Sequence, residues 1–134
     1  MTEFRRVLFR SVKKGYHVAI ISGGRSKSML NRFSMLKVRH VYLGVEHKLE
    51  TLKIFMEENQ LKPENVLYLG DDIPDYQVMK YSGIAACPAD AVEEIKSISH
   101  YISHVKGGEG CARDVIEQVL KVRGHWMNDD GFSW

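Results

Sequence analysis

Val66-Leu67-Tyr68-Leu69-Gly70-Asp71-Asp72-Ile73-Pro74-Asp75 is the stretch whose reading decides the fold. An apolar run of strand character stops at Gly70, and three carboxylates follow within five positions. In an open α/β sheet, ligands bind at the carboxyl ends of the strands. Acids clustered there repel one another unless a cation sits among them. Ligands that are all oxygen suit Mg²⁺ rather than Zn²⁺, and Mg²⁺ held by carboxylates points to phosphate chemistry. Asp71, Asp72 and Asp75 are therefore candidate metal ligands. The same residues also fit a turn running into a helix, with Asp72 as its N-cap and Asp75 as a favourable first-turn charge.

Strands and helices alternate on either side of this stretch. Residues 17–22 form an apolar, β-rich run ending at Gly23-Gly24, and residues 25–37 carry Met29, Leu30, Phe33 and Leu36 at helical spacing. Residues 40–43 read as a short strand closed by Gly44. Residues 48–59 read as a helix with Leu49, Leu52, Phe55 and Met56 on one face, followed by Pro63. After the strand at 66–69 come a short helix at 76–81 stopped by Gly83 and a strand at 84–87 ending at Pro88. A helix at 91–97, a strand at 101–103 and a closing helix at 113–122 ended by Gly124 complete the order. Such alternation with short loops predicts an α/β fold, a parallel sheet with helices on both faces.

The bulk numbers exclude other classes. At 134 residues the chain is long enough for one domain with its own core. A net charge of +2 is too small to argue for nucleic acid or an anionic membrane as partner. No apolar run approaches the roughly 20 residues of a membrane span, and no signal-peptide core is visible. Cys87 and Cys111 lack metal-ligand spacing and read as buried, reduced thiols of a cytoplasmic protein. His17, His40, His47, His100, His104 and His125 form no metal-binding pattern and read as surface or satisfied core residues.

Three further places carry chemistry. Ser22-Gly23-Gly24-Arg25-Ser26 follows a strand and opens a helix. A hydroxyl and backbone N–H groups there make an anion site, or equally an N-cap with turn glycines. Lys48 opens a helix at the unfavourable end of its dipole, which suits phosphate neutralisation but also an ordinary solvated lysine. Gly107-Gly108-Glu109-Gly110 is a flexible loop before the last helix, with a plain connector as its simplest reading.

Taken in order, these motifs resemble the haloacid dehalogenase (HAD) phosphatase superfamily, of which they would be the second, third and fourth motifs. The closer resemblance is to its small capless branch, typified by 3-deoxy-D-manno-octulosonate 8-phosphate (KDO 8-phosphate) phosphatases. It is carried by His17-Val18-Ala19-Ile20-Ile21-Ser22-Gly23, Gly44-x-x-x-Lys48, Pro63-Glu64-Asn65-Val66, Gly70-Asp71-Asp72-Ile73-Pro74-Asp75, Val78-Met79 and Gly107-Gly108-x-Gly110-x-Ala112-Arg113. It covers residues 12–124 and implies a HAD-type, Rossmann-like, capless sheet.

By position, the resemblance implies that Ser22 and Gly23 bind the transferring phosphoryl group and that Lys48 neutralises it while keeping the nucleophile ionised. Asp71 would be a Mg²⁺ ligand, with Asp72 and Asp75 as ligands or supports, and Gly107 and Gly108 would lie near the site mouth. Relatives often place Arg directly after the first Gly of the second motif. Here Gly24 stands there and Arg25 comes next, so a substrate contact by Arg25 is left open. The implied substrate is a small phosphorylated sugar acid, with KDO 8-phosphate leading, and the implied assembly is a homotetramer. The alternatives are a phosphatase for a sialic-acid-type 9-phosphate, the HAD-like domain of a cytidylyltransferase for nonulosonic acids, and a non-catalytic assembly module.

One motif is absent. The family's first strand carries Asp-x-Asp-Gly, whose first Asp attacks phosphorus and whose second protonates the leaving group. No Asp precedes Asp71 here. In the family that strand lies centrally, between those matching residues 17–22 and 66–69, so the sheet is expected to lack its middle and the chain as written to be inactive. Glu3-Phe4-Arg5-Arg6-Val7-Leu8-Phe9-Arg10-Ser11 reads as a translation of the tail of a short-read sequencing adapter, the alternative being a genuine amphipathic helix start with Phe4, Val7 and Leu8 at helical spacing. Residues 1–11 are thus expected to be a non-native leader, residues 12–124 a partial phosphatase domain, and residues 125–134 a C-terminal tail.

Overall fold

The structure is a computed structural model, and it describes residues 15–23, 40–107 and 110–124. The leader at 1–11, the helix expected at 25–37, Arg25, Gly108 and the tail at 125–134 lie outside the described residues.

Strand β1 (Ala19–Ile21) pairs in parallel with β2 (His40–Tyr42), Ala19 opposite His40 and Ile21 opposite Tyr42. Helix α1 (Lys48–Glu58) leads to a 3₁₀ turn, Pro63–Asn65, and then to β3 (Leu67–Leu69). A second 3₁₀ turn, Ile73–Asp75, runs directly into α2 (Tyr76–Tyr81). Strand β4 (Ile84–Cys87), helix α3 (Glu93–Ile98), strand β5 (Tyr101–Ile102) and helix α4 (Cys111–Val122) follow. The strand β3 pairs with β4, and β4 with β5, all in parallel. These strands and helices follow the expected order, with ends shifted by a residue or two; the 3₁₀ turn at Pro63–Asn65 was not expected, and that at Ile73–Asp75 fits the reading of a turn capped by Asp72.

Alternation along the strands sets the layers, because successive side chains point to opposite faces. Ala85 and Cys87 of β4 pack with Met79, Ala91 and Ile95 beneath α2 and α3. Ala86, between them, packs with Cys111 and Val115 of α4, joined by Leu67 and Leu69 of β3. Tyr68 sits on the first of these faces. Helices therefore cover both faces of the β3–β4–β5 sheet. The α1 residues Leu52, Phe55 and Met56 pack on Ala19, Ile21 and Tyr42 of the first sheet and also on Val66 and Tyr68 beside β3. Among the described residues the two sheets remain separate, β1–β2 and β3–β4–β5, with α1 packed against both. Cys87 and Cys111 are buried free thiols, as expected.

Candidate active site

The chain turns sharply after β3 because Gly70 leaves room for it. A Cβ on Gly70 would stand 2.6 Å from Cβ of Asp75, 2.7 Å from its Cγ and 2.8 Å from Sδ of Met79. Only a hydrogen lets the 3₁₀ turn fold back against the strand end. That return buries Asp75 at 5% exposure beside the strand it follows.

Four donors converge on the Asp75 carboxylate. Lys48 Nζ donates to Oδ1 at 2.8 Å, and the Tyr68 hydroxyl donates to the same oxygen at 3.2 Å. The backbone N–H groups of Asp71 and Asp72 donate to Oδ2 at 3.1 and 3.3 Å. An ionised carboxylate offers about four acceptor positions, so Asp75 is saturated from within. Asp72 accepts the N–H of Ile73 at 2.8 Å and caps the turn, as the N-cap reading of the sequence expects. Asp75 is more than a first-turn charge: it ties the turn, the strand and α1 together.

Asp71 is left facing outward on the same bend. Burial comes first, and the carboxylates of Asp75 and Asp72 next, in pushing its pKa above the usual range, with Lys48 pulling the other way. A carboxylate raised in this way gains from a cation placed against it. Tyr68 is also raised, by burial and then by the charge and hydrogen bond of Asp75.

Around these groups lies an open pocket of about 290 Å³. Ile21 at the tip of β1, Gly70 and Asp71 after β3, and Pro88 after β4 form its walls, so it opens at the carboxyl ends of the strands. Lys48, Tyr68 and Asp75 line it too, and Cys111 and Ala112 bring the positive end of α4 to it. Gly107 stands at its edge, where its N–H donates to Asp90 Oδ1 at 2.8 Å.

The structure thus brings Lys48, Asp71, Asp75 and Gly107 together, with Asp72 on the turn behind. Ser22 follows Ile21 at the pocket wall. Its N–H donates to Tyr42 O at 2.9 Å and its carbonyl accepts from Val45 at 3.0 Å, so its amide is engaged rather than free for an anion. Gly23 beside it is exposed. Among the described residues no three His, Cys, Asp or Glu side chains are close enough to hold a metal by themselves. That is compatible with Mg²⁺, which keeps several waters and takes one or two carboxylates plus substrate phosphate. Asp71 fits such a role.

Tyr68 and Asp90 are the residues that sequence reading missed. A phenol within an otherwise apolar strand was the one visible sign of Tyr68. Asp90 offered none, since its partner lies 17 positions away.

Residues 45–113 match the haloacid dehalogenase-like hydrolase family. The chain is similar to the 3-deoxy-D-manno-octulosonate 8-phosphate phosphatase KdsC of Yersinia pestis, with 37% identity over 116 residues, 87% of this chain and 62% of that protein. A crystal structure of the Yersinia pestis phosphatase superposes with a TM-score of 0.86 at 32% identity, over 89% of this chain and 64% of the other. That of the Moraxella catarrhalis phosphatase, in complex with magnesium ion, phosphate ion and KDO, superposes with a TM-score of 0.89 at 27% identity, over 96% and 72%. The chain spans 57–62% of the length of the curated relatives it matches.

Proposed function

The chain belongs to the haloacid dehalogenase-like hydrolase family, and from that premise we propose that it derives from a Mg²⁺-dependent phosphoric monoester hydrolase acting on KDO 8-phosphate. One observation carries the reading. Lys48, 2.8 Å from the buried Asp75, shares a pocket at the strand tips with Asp71, whose carboxylate is raised by burial and then by its acidic neighbours. A cation on one wall and a metal-ready carboxylate on the rim are what a phosphoryl group with charge on three oxygens requires. The KDO 8-phosphate phosphatase of Yersinia pestis among the relatives, and the KDO and phosphate bound by the Moraxella catarrhalis one, support the choice of substrate.

The roles follow from the contacts. Lys48 neutralises phosphoryl oxygens. Asp75 fixes Lys48 and, through the amides of Asp71 and Asp72, the shape of the bend. Asp71 holds the metal and Asp72 caps the turn that presents it. Ser22, through its hydroxyl since its amide is engaged, and Gly23, both just past the end of β1, contact the phosphoryl group, and Gly107 with Gly108 borders the sugar. Mg²⁺, when bound, polarises the phosphoryl oxygens. The full-length parent assembles as a homotetramer and works in the cytoplasm. The sequence holds no Asp before Asp71 to serve as nucleophile, so the chain as written binds substrate without turning it over.

Titration of KDO 8-phosphate into the purified chain, with and without Mg²⁺, tests this. Binding is expected to require Mg²⁺ and to fall at least about tenfold in Lys48→Ala and in Asp71→Asn, the loss of one charge-assisted contact each. Affinity indifferent to both substitutions overturns the site. Phosphate release above a blank overturns the predicted inactivity. Tighter binding of a sialic-acid-type 9-phosphate reassigns the substrate.

A further inference from the structure

Asp75 Oδ1 has two claimants, the Lys48 ammonium at 2.8 Å and the Tyr68 hydroxyl at 3.2 Å. Both side chains line the same pocket. We propose that Tyr68 is a positioning residue: by sharing Asp75 Oδ1 with Lys48, its hydroxyl keeps the ammonium from being fully neutralised and so available to a phosphate in the pocket. This deepens, and rests on, the phosphate role proposed for Lys48.

The argument is one of competition for a carboxylate. The opposite oxygen, Oδ2, is taken by the amides of Asp71 and Asp72. With all four acceptor positions in use, the charge of Asp75 is spread over four donors. Without the hydroxyl, a lone pair on Oδ1 falls to Lys48 alone. The ion pair then tightens and less of the ammonium's field reaches an incoming anion. At a half-buried site such redistribution is felt more strongly than in water. The ring of Tyr68 packs against the clusters centred on Met79 and on Leu52, Phe55 and Met56. Phenylalanine keeps that packing and removes only the hydroxyl.

A double-mutant cycle on the full chain separates positioning from mere structure. The probe is inorganic phosphate, titrated calorimetrically into the unsubstituted chain, Tyr68→Phe, Lys48→Ala and the double variant. Tyr68→Phe is expected to weaken phosphate about three- to tenfold, the range of one ordinary net hydrogen bond, because the hydroxyl acts on phosphate only through Lys48. In the Lys48→Ala background the same substitution is expected to change nothing further.

Equal weakening in both backgrounds shows a structural role for Tyr68 and overturns the inference, as does unchanged affinity in Tyr68→Phe. Lys48→Ala binding phosphate as tightly as the unsubstituted chain, or no binding by the unsubstituted chain, overturns instead the role of Lys48 beneath it. Should Tyr68→Phe fail to fold, Tyr68→3-fluorotyrosine keeps the shape and strengthens the donor. Phosphate affinity is then expected to rise, and an unchanged value overturns the proposal.

Discussion

Gly70 and Asp75 occupy each other's space. The glycine has no side chain because the carboxylate stem stands 2.6 Å from where its Cβ would be. Gly70→Ala must move Asp75, and Asp75 cannot move without releasing Lys48, Tyr68 and two amides. A loss of about 2–3 kcal/mol is expected for Gly70→Ala, the upper range for overpacking, together with weaker phosphate binding. Chemical denaturation and the phosphate titration read the two effects separately. Asp71 works in the opposite direction. Its carboxylate is raised by burial and by Asp75 and Asp72, so its charge is a burden on the metal-free fold. Asp71→Asn is expected to stabilise the metal-free chain, by no more than about 0.5 kcal/mol after solvent screening, while losing the response to Mg²⁺. A lower denaturation midpoint in Asp71→Asn would contradict the picture of mutual repulsion on this bend.

The last helix is fastened by one acid. Asp114 on α4, buried at 5% exposure, accepts from the hydroxyls of Tyr101 on β5 and Ser103 beyond it, both at 2.7 Å. Burial pushes its pKa up, but the hydrogen bonds from Ser103, Tyr101 and Gln118 outweigh burial and hold it below the usual value. Tyr101 in return is pushed up to about 12, chiefly by its bond to Asp114. The sign follows: a depressed carboxylate contributes stability at pH values above its unfolded pKa, and that stability is lost as pH falls through the folded value. Acid unfolding followed by circular dichroism should therefore start at higher pH in Ser103→Ala than in the unsubstituted chain. In Asp114→Asn the stability profile should flatten below pH ~4.

At this scale the sequence was readable wherever an element has interior periodicity. Helix α1 begins at the expected Lys48, and α2 and β4 have the expected ends. The turn Pro63–Asn65 was not readable, since three residues hold no period and it is set by what it folds back against; Ile73–Asp75 was legible as a turn capped by Asp72, but not as the return that buries Asp75. The same return explains why Tyr68 was missed: its partner lies seven positions on, and only the turn brings them together. The acids of the bend were legible as a cluster, but their division of labour was not. Which oxygen is saturated depends on backbone N–H groups that carry no sequence signature.

At the scale of the whole molecule, among the described residues, hydrogen bonding divides what packing joins. The β3–β4–β5 ladders sit between α2 and α3 on one face and α4 on the other. Strands β1 and β2 pair with each other and lean on α1. Regions with fewer buried contacts open at lower cost. Native-state hydrogen exchange is accordingly expected to show β1 and β2 amides opening at a free energy lower than those of β4 by about 2 kcal/mol or more. Matching protection in both sheets would mean that they unfold as one unit.

Helix α1 touches both sheets, and Lys48 is its first residue. In mechanical terms the helix is a lever with its fulcrum at Phe55 and Met56 and its tip in the pocket. A sideways load on β1 and β2 would be delivered at that tip, onto the tie between Lys48 and Asp75.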